Sequence, residues 1–212
     1  MSRVGAGSED CPLTMPGQLS LDGFEQRPLP LINLFFALKP DEQAAMQSAE
    51  VARLLGREQG VEIKQDRIDR FHVTLFHVGH FQGEIPASTL AAASACAQFA
   101  AEVQSFPVVF DKVASFSGRS GNLPIVLRGA ERCDALMRFQ SGLDDRMKRA
   151  GLVHGESRGH FTPHLTLFYG RTVAERAIEP IGWRATELVL LSSVHGAGLH
   201  RPEGCWPLRD AA

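Results

Sequence analysis

Two stretches decide how this chain is read: Arg70-Phe71-His72-Val73-Thr74-Leu75-Phe76-His77-Val78 and Phe161-Thr162-Pro163-His164-Leu165-Thr166-Leu167-Phe168. Each is short and rich in apolar and aromatic residues. Gly79 stops the first, and a glycine-flanked loop, 151–159, leads into the second, so both read as strands. Successive side chains of a strand point to opposite faces, so residues i and i+2 share one. His72 and Thr74 therefore project together while Val73 and Leu75 pack inward. His164 and Thr166 project likewise, over Leu165 and Leu167.

Working outward, the same order of elements surrounds both stretches. The apolar run Leu31–Leu38 has strand length. Pro40 and Asp41 open a helix with Ala45, Ala49, Ala52 and Leu55 on one face, ended by Gly56 or Gly60. The first His-x-Thr strand follows. After an Ala-rich helix from Pro86 to about Glu102, a strand over Phe106–Phe116 and a turn at Gly118–Asn122, the order returns. Leu123–Leu127 reads as a strand, and Glu131–Ala150 as a helix presenting Leu136, Phe139, Leu143 and Met147. The second His-x-Thr strand follows that, then a last strand at Thr186–Leu191 and a tail with Trp206. Leu34-Phe35-Phe36 recurs as Ile125-Val126-Leu127 at an offset of 91 residues, and His72-Val73-Thr74-Leu75 as His164-Leu165-Thr166-Leu167 at 92. Two nearly equal offsets indicate an internal duplication whose copies face each other. The reading is one domain over 31–208 with halves of about 31–117 and 123–208. A flexible leader, 1–30, rich in glycine and proline, precedes it, and a short tail, 209–212, follows.

Composition narrows the function. The 212 residues are 44% hydrophobic and 22% charged, ordinary for a globular chain. Twenty-two Lys and Arg stand against 24 Asp and Glu, a net charge of -2, which argues against gripping long stretches of nucleic-acid backbone but leaves room for a pocket holding one or two phosphates. Cys11, Cys96, Cys133 and Cys205 form no Cys-x-x-Cys pair, so zinc ribbons and thiol-redox motifs have no basis. The start lacks the apolar run of a secretory signal and no segment is long enough to span a bilayer, so a cytoplasmic protein with no membrane partner is expected.

Two imidazoles and two hydroxyls converging on a cleft suit the opening of a phosphodiester. An imidazole, with a pKa near 6.5, serves as base or acid at neutral pH. One would take a proton from water and the other would give one to the departing sugar oxygen. The threonine hydroxyls can donate to non-bridging phosphate oxygens. No metal or cofactor is needed for this chemistry.

These paired His-x-Thr motifs, with the Phe161-Thr162-Pro163-His164 approach, the strand Leu34–Leu38 and the late strand Thr186–Ser193, resemble the two-histidine (2H) phosphoesterases. The branch in question is the bacterial 2′-5′ RNA ligase and RNA 2′,3′-cyclic phosphodiesterase family. The resemblance runs from about Leu31 to Leu208. It implies a bilobal α+β fold with two antiparallel sheets lining a central groove. The implied activity is opening of a 2′,3′-cyclic phosphate on RNA or a small nucleotide to a 2′-phosphate, with reversible 2′-5′ joining of RNA ends in some members. Carried over by position, His72 and His164 are the acid–base pair and Thr74 and Thr166 the phosphate binders. By analogy His72 is the acid and His164 the base, an assignment the symmetry leaves open to exchange. A monomer acting on RNA ends or small cyclic nucleotides is expected. The alternative is a non-catalytic nucleotide-binding module using the same groove.

Many relatives carry an arginine five residues past the second motif histidine, where this chain has Tyr169; Arg171 lies two residues on. Tyr169 could hydrogen-bond a phosphate or stack on a base, or pack on the lobe edge. Arg158 could bring a positive charge to the phosphate, against the plainer reading of a solvated loop residue. Phe36 is a candidate base platform on the groove floor, although a core phenylalanine is the stronger reading. His77 and His80 invite a metal, but no Cys or carboxylate completes a set. His160 reads as a loop residue near the groove, and Ser192 and Ser193 as a strand end.

Overall fold

The computed structural model describes residues 29–63, 65–116, 122–152 and 161–210. Most of the expected leader and of the Gly118–Asn122 turn thus lies outside the described residues. The elements run β1 (Leu31–Leu38), α1 (Glu42–Gln59), β2 (Val73–Gln82), α2 (Ala87–Ala97), β3 (Phe106–Ser115), β4 (Leu123–Arg128), α3 (Asp134–Arg149), β5 (Leu165–Gly170), β6 (Arg176–Ala185), β7 (Glu187–Val194) and β8 (His200–Pro207). They form two four-stranded sheets, ordered β2-β1-β7-β8 and β5-β4-β3-β6, in which every pairing is antiparallel. This is the α+β, two-sheet architecture expected.

The strand–helix–strand repeat is present as β1-α1-β2 and β4-α3-β5, and each unit supplies two adjacent strands of its sheet. The remaining strands are exchanged. β3, from the first half of the chain, completes the second sheet together with β6, and β7 with β8, from the second half, complete the first. The strands β2 and β5 are edges of their sheets, so each motif strand has one side without a ladder partner.

Local chemistry explains the helices. Asp41 caps α1 by accepting a hydrogen bond from the Ala44 N–H at 2.8 Å. Gly60 ends it in the left-handed region at φ 70°, where a side chain would be strained. Small residues, Ala44, Ala45, Ser48, Ala49 and Ala52, line its buried face and let the backbone approach closely. From α3, Leu136, Phe139, Leu143 and Met147 enter the core, the four expected positions.

The helices also tie the sheets together. At the end of α1, the Gln59 side chain accepts from the Arg171 N–H at 2.8 Å and donates to the Arg171 carbonyl at 3.0 Å, just past β5. On α3, Gln140 donates to the Leu75 carbonyl of β2 at 3.3 Å. Each helix thus holds the motif strand of the other repeat. A shared core, including Leu34, Phe36, Leu38, Val73, Leu75, Phe110, Ile125, Leu127, Leu165 and Leu167, fills the interior. Phe35, Ala37, Val189 and Leu191 form a smaller cluster on the opposite face of the first sheet.

Two strands depart from the sequence reading, which assigns no element to β6 and places β8 in the tail. Pro180 and Gly182 interrupt the first, and Pro202 and Gly204 the second. Both are sheet edges, where a missing N–H leaves no ladder bond unmade. β2 runs through Gly79 to Gln82 rather than stopping there, and Arg70 belongs to a short 3₁₀ segment, Gln65–Arg70.

Candidate active site

His72 and His164 each occupy the residue immediately ahead of their strands, β2 and β5. Each is anchored by the same backbone device. The His72 Nδ1–H donates to the Arg70 carbonyl at 2.7 Å, and the His164 Nδ1–H to the Thr162 carbonyl at 2.9 Å, both two residues upstream. A proton held on Nδ1 leaves Nε2 as the working nitrogen of the neutral ring. Both imidazoles, with Thr74 and Thr166, line one groove of about 680 Å³ between the two motif strands. The inward partners Val73, Leu75, Leu165 and Leu167 are buried, so the alternation expected from the motif holds on both strands.

Electrostatics favour neutral rings. Burial is the main cause lowering the pKa of His72 below 6.5; the bond to Arg70 opposes it, and the charges of His164, Arg70 and Lys39 add to the lowering. For His164 burial again leads, opposed by the bond to Thr162 and assisted by Arg128. An anion placed between the rings would push both values back up.

A third imidazole joins them, one that the motifs do not announce. His200, the first residue of β8 and opposite Ser193 in the ladder, lines the same groove. Its ring meets His72 edge-on with centroids 4.9 Å apart, and Phe35 at 5.5 Å. Burial, then the charges of His72 and Arg70, push its pKa down to about 4. The signal is hidden because the Arg-Pro-Glu-Gly run after it does not look like a strand.

The structure separates the other candidates. Tyr169 is at the groove and 59% exposed, open to a ligand. Arg171 is held away by Gln59, whose backbone carbonyl also accepts from its guanidinium at 3.2 Å. Phe36 is not a groove platform: it is fully buried in the core with Trp206, ring centroids 5.9 Å apart. Phe35, on the other face of β1, is the phenylalanine beside the site, its ring 5.0 Å from that of His72. Arg158 and His160 lie outside the described residues. His77 and His80 pack on each other at 4.5 Å, with His77 hydrogen-bonded to Asn33. Among the described residues, no group of three or more His, Cys, Asp or Glu is placed to hold a metal ion. Ser192 is buried and donates to Glu203 at 2.6 Å. No described helix is long and apolar enough to cross a membrane.

A groove between two antiparallel sheets, with a backbone-anchored histidine and a threonine two residues on contributed by each motif strand, defines the two-histidine phosphoesterases. The chain belongs to the 2′-5′ RNA ligase superfamily, whose model matches residues 70–197, more than half of its length. Among solved structures it is similar to TT0787 of Thermus thermophilus, with a TM-score of 0.63 and 18% identity, covering 85% of this chain and 100% of that one. It is also similar to E. coli LigT complexed with 3′-AMP, with a TM-score of 0.59 and 22% identity over 86% of this chain and 99% of that one. LigT has further been solved with NADP+ and with ATP. At these identities the likeness concerns the fold. No curated protein matches the sequence significantly.

Proposed function

We propose that the protein is a cyclic phosphodiesterase that opens 2′,3′-cyclic phosphate ends of RNA or small nucleotides to 2′-phosphates by paired histidine acid–base catalysis. The observation that carries this reading is the equivalence of His72 and His164: two imidazoles with the same fixed tautomer, each two residues from a threonine, on one groove. His164 takes a proton from water as its oxygen attacks phosphorus. The bond from phosphorus to the 3′ oxygen breaks, and His72 delivers a proton to that oxygen. Thr74 and Thr166 donate to the non-bridging oxygens as charge builds there. Each proton transfer is worth about 10²- to 10⁴-fold in rate. A 5′-hydroxyl in place of water gives a 2′-5′ bond by the same steps, and its reversal cleaves one. Tyr169 offers its exposed ring to the base of the bound nucleotide.

The test is hydrolysis of 2′,3′-cyclic mononucleotides and of a cyclic-ended oligonucleotide in EDTA, with the product identified. A 2′-phosphate formed by the wild type and lost in His72→Ala, His164→Ala is expected. Activity abolished by chelation, a 3′-phosphate product, or nucleotide binding without turnover would contradict the reading.

A further inference from the structure

We propose that Arg70 is a binding residue of this groove, its guanidinium taking a non-bridging oxygen of the same phosphate that lies between His72 and His164; the inference rests on the reading above. Arg70 closes the 3₁₀ segment that leads into β2 and lines the groove. It serves the site twice, since its carbonyl anchors the His72 ring while its side chain supplies charge. Among the described residues lining the groove it is the one permanent cation, and Glu62 is the one carboxylate. No ion pair joins Arg70 to any acid among the described residues, and its Nε is buried without a hydrogen-bond partner. A buried charged donor with no acceptor is unfavourable, and an incoming anion would relieve that.

The fold also holds this side chain in place. The turn between β7 and β8 lies over it, with Gly198 in the left-handed region at φ 68°. A Cβ added there would sit 3.3 Å from one terminal guanidinium nitrogen and 3.7 Å from the guanidinium carbon, so the bare glycine rests against the group. As water adds, its proton passes to His164, so the second negative charge on the phosphoryl oxygens appears together with a second positive charge on the histidine pair. The threonines carry no charge, and Arg70 places a fixed positive charge beside the non-bridging oxygens, at a point already oriented before the substrate arrives.

The experiment compares the full-length wild type with Arg70→Gln and Arg70→Lys, using a 2′,3′-cyclic mononucleotide, which carries a single phosphate. Calorimetry with inorganic phosphate and thermal melting run in parallel. Expected is a loss of about 10²-fold in kcat/KM for Arg70→Gln, a smaller loss for Arg70→Lys, and phosphate binding that strengthens in the order Gln, Lys, wild type, with melting temperatures close to wild type. A kcat/KM for Arg70→Gln within about two-fold of wild type would overturn the proposal, as would equal losses in both variants tracking a lowered melting temperature. So would a defect confined to cyclic-ended oligonucleotides. If the wild type turns over no cyclic nucleotide, the reading above fails and the phosphate arm decides alone. Weakened binding in Arg70→Gln then supports Arg70 as the anion contact, while unchanged binding, or no phosphate binding by the wild type, overturns it. If Arg70→Gln does not fold, Arg70→Lys carries the test, and wild-type phosphate affinity and turnover in that variant overturn the proposal.

Discussion

On the side of the groove formed by the second sheet, the His164 ring meets Phe116 edge-on at 4.8 Å, with the Arg128 charge acting on it. On the other side, His72 stands against Phe35 and His200, with the charges of Arg70 and Lys39 nearby. The backbone anchors are the same; the surroundings are not. The anchors are alike because a His-x-Thr strand with a carbonyl two residues upstream is a local device, present in both strand–helix–strand units. The surroundings come from distant segments, β8 and its turn on one side and the end of β3 on the other. The side of the first sheet, which carries His72, is the richer in rings and positive charge.

The sharpest way to break the comparison is to remove one anchor at a time. His72→Ala and His164→Ala should each cut kcat by about 10²- to 10⁴-fold. Combined, they should cost far less than the product of the single losses, because the two groups act on one event. Steady-state kinetics on the three variants checks this, and fully multiplicative losses would mean that the histidines act separately.

Next in size are the hydroxyls. Thr74→Val and Thr166→Val each remove one donor to a charged phosphate, a contact worth about 1.5–3 kcal/mol, or roughly 10- to 10²-fold in kcat/KM. Similar losses at both positions would show that the phosphate is shared evenly between the sheets, and unequal losses that one side holds it.

The pH profile probes the surroundings. Both motif histidines lie below 6.5 in the free protein, so the bell of kcat/KM, which reports the free enzyme, should centre below pH 6.5. The kcat profile should lie at higher pH, because a bound anion raises both values. His200→Ala opens His72 to water and should move the kcat/KM bell upward, while His200→Phe keeps the ring covered and should leave it in place.

Stability should follow the same groups. The unfolded chain binds protons at these histidines near pH 6.5, whereas the folded chain resists until lower pH, about 4 for His200. Their contribution is therefore fully present above about pH 7 and is lost as pH falls toward the folded values. Melting temperature between pH 7 and 5 should drop less in His200→Phe than in the wild type. Smallest of all, Arg176→Gln breaks the exposed 2.9 Å pair with Glu58 between α1 and β6 and should cost under about 1 kcal/mol in denaturant unfolding.

What could be read from the sequence was what the strand period makes visible. Thr74 over Val73 and Leu75, and Thr166 over Leu165 and Leu167, alternate polar and apolar, so the face that each strand turns to the groove followed directly. β1 offers no such contrast. Leu34, Phe36 and Leu38 fill the main core while Phe35 and Ala37 cover the other face, so apolar residues lie on both sides and the period cannot choose between Phe35 and Phe36. His200 was invisible for a different reason. Its place in the groove depends on β8 pairing with β7, a contact made by an edge strand whose proline and glycine disguise it. The exchange of β3 and β7 between the sheets likewise leaves no mark on either copy of the repeat.

Histidine-selective NMR titration with a 2′-phosphorylated nucleotide tests most directly whether His72 and His164 act on one phosphorus atom. The pKa values of both rings should rise together on binding, with Nδ1 protonated in each. A response from one ring alone, or from neither while the nucleotide is bound, would contradict that joint action.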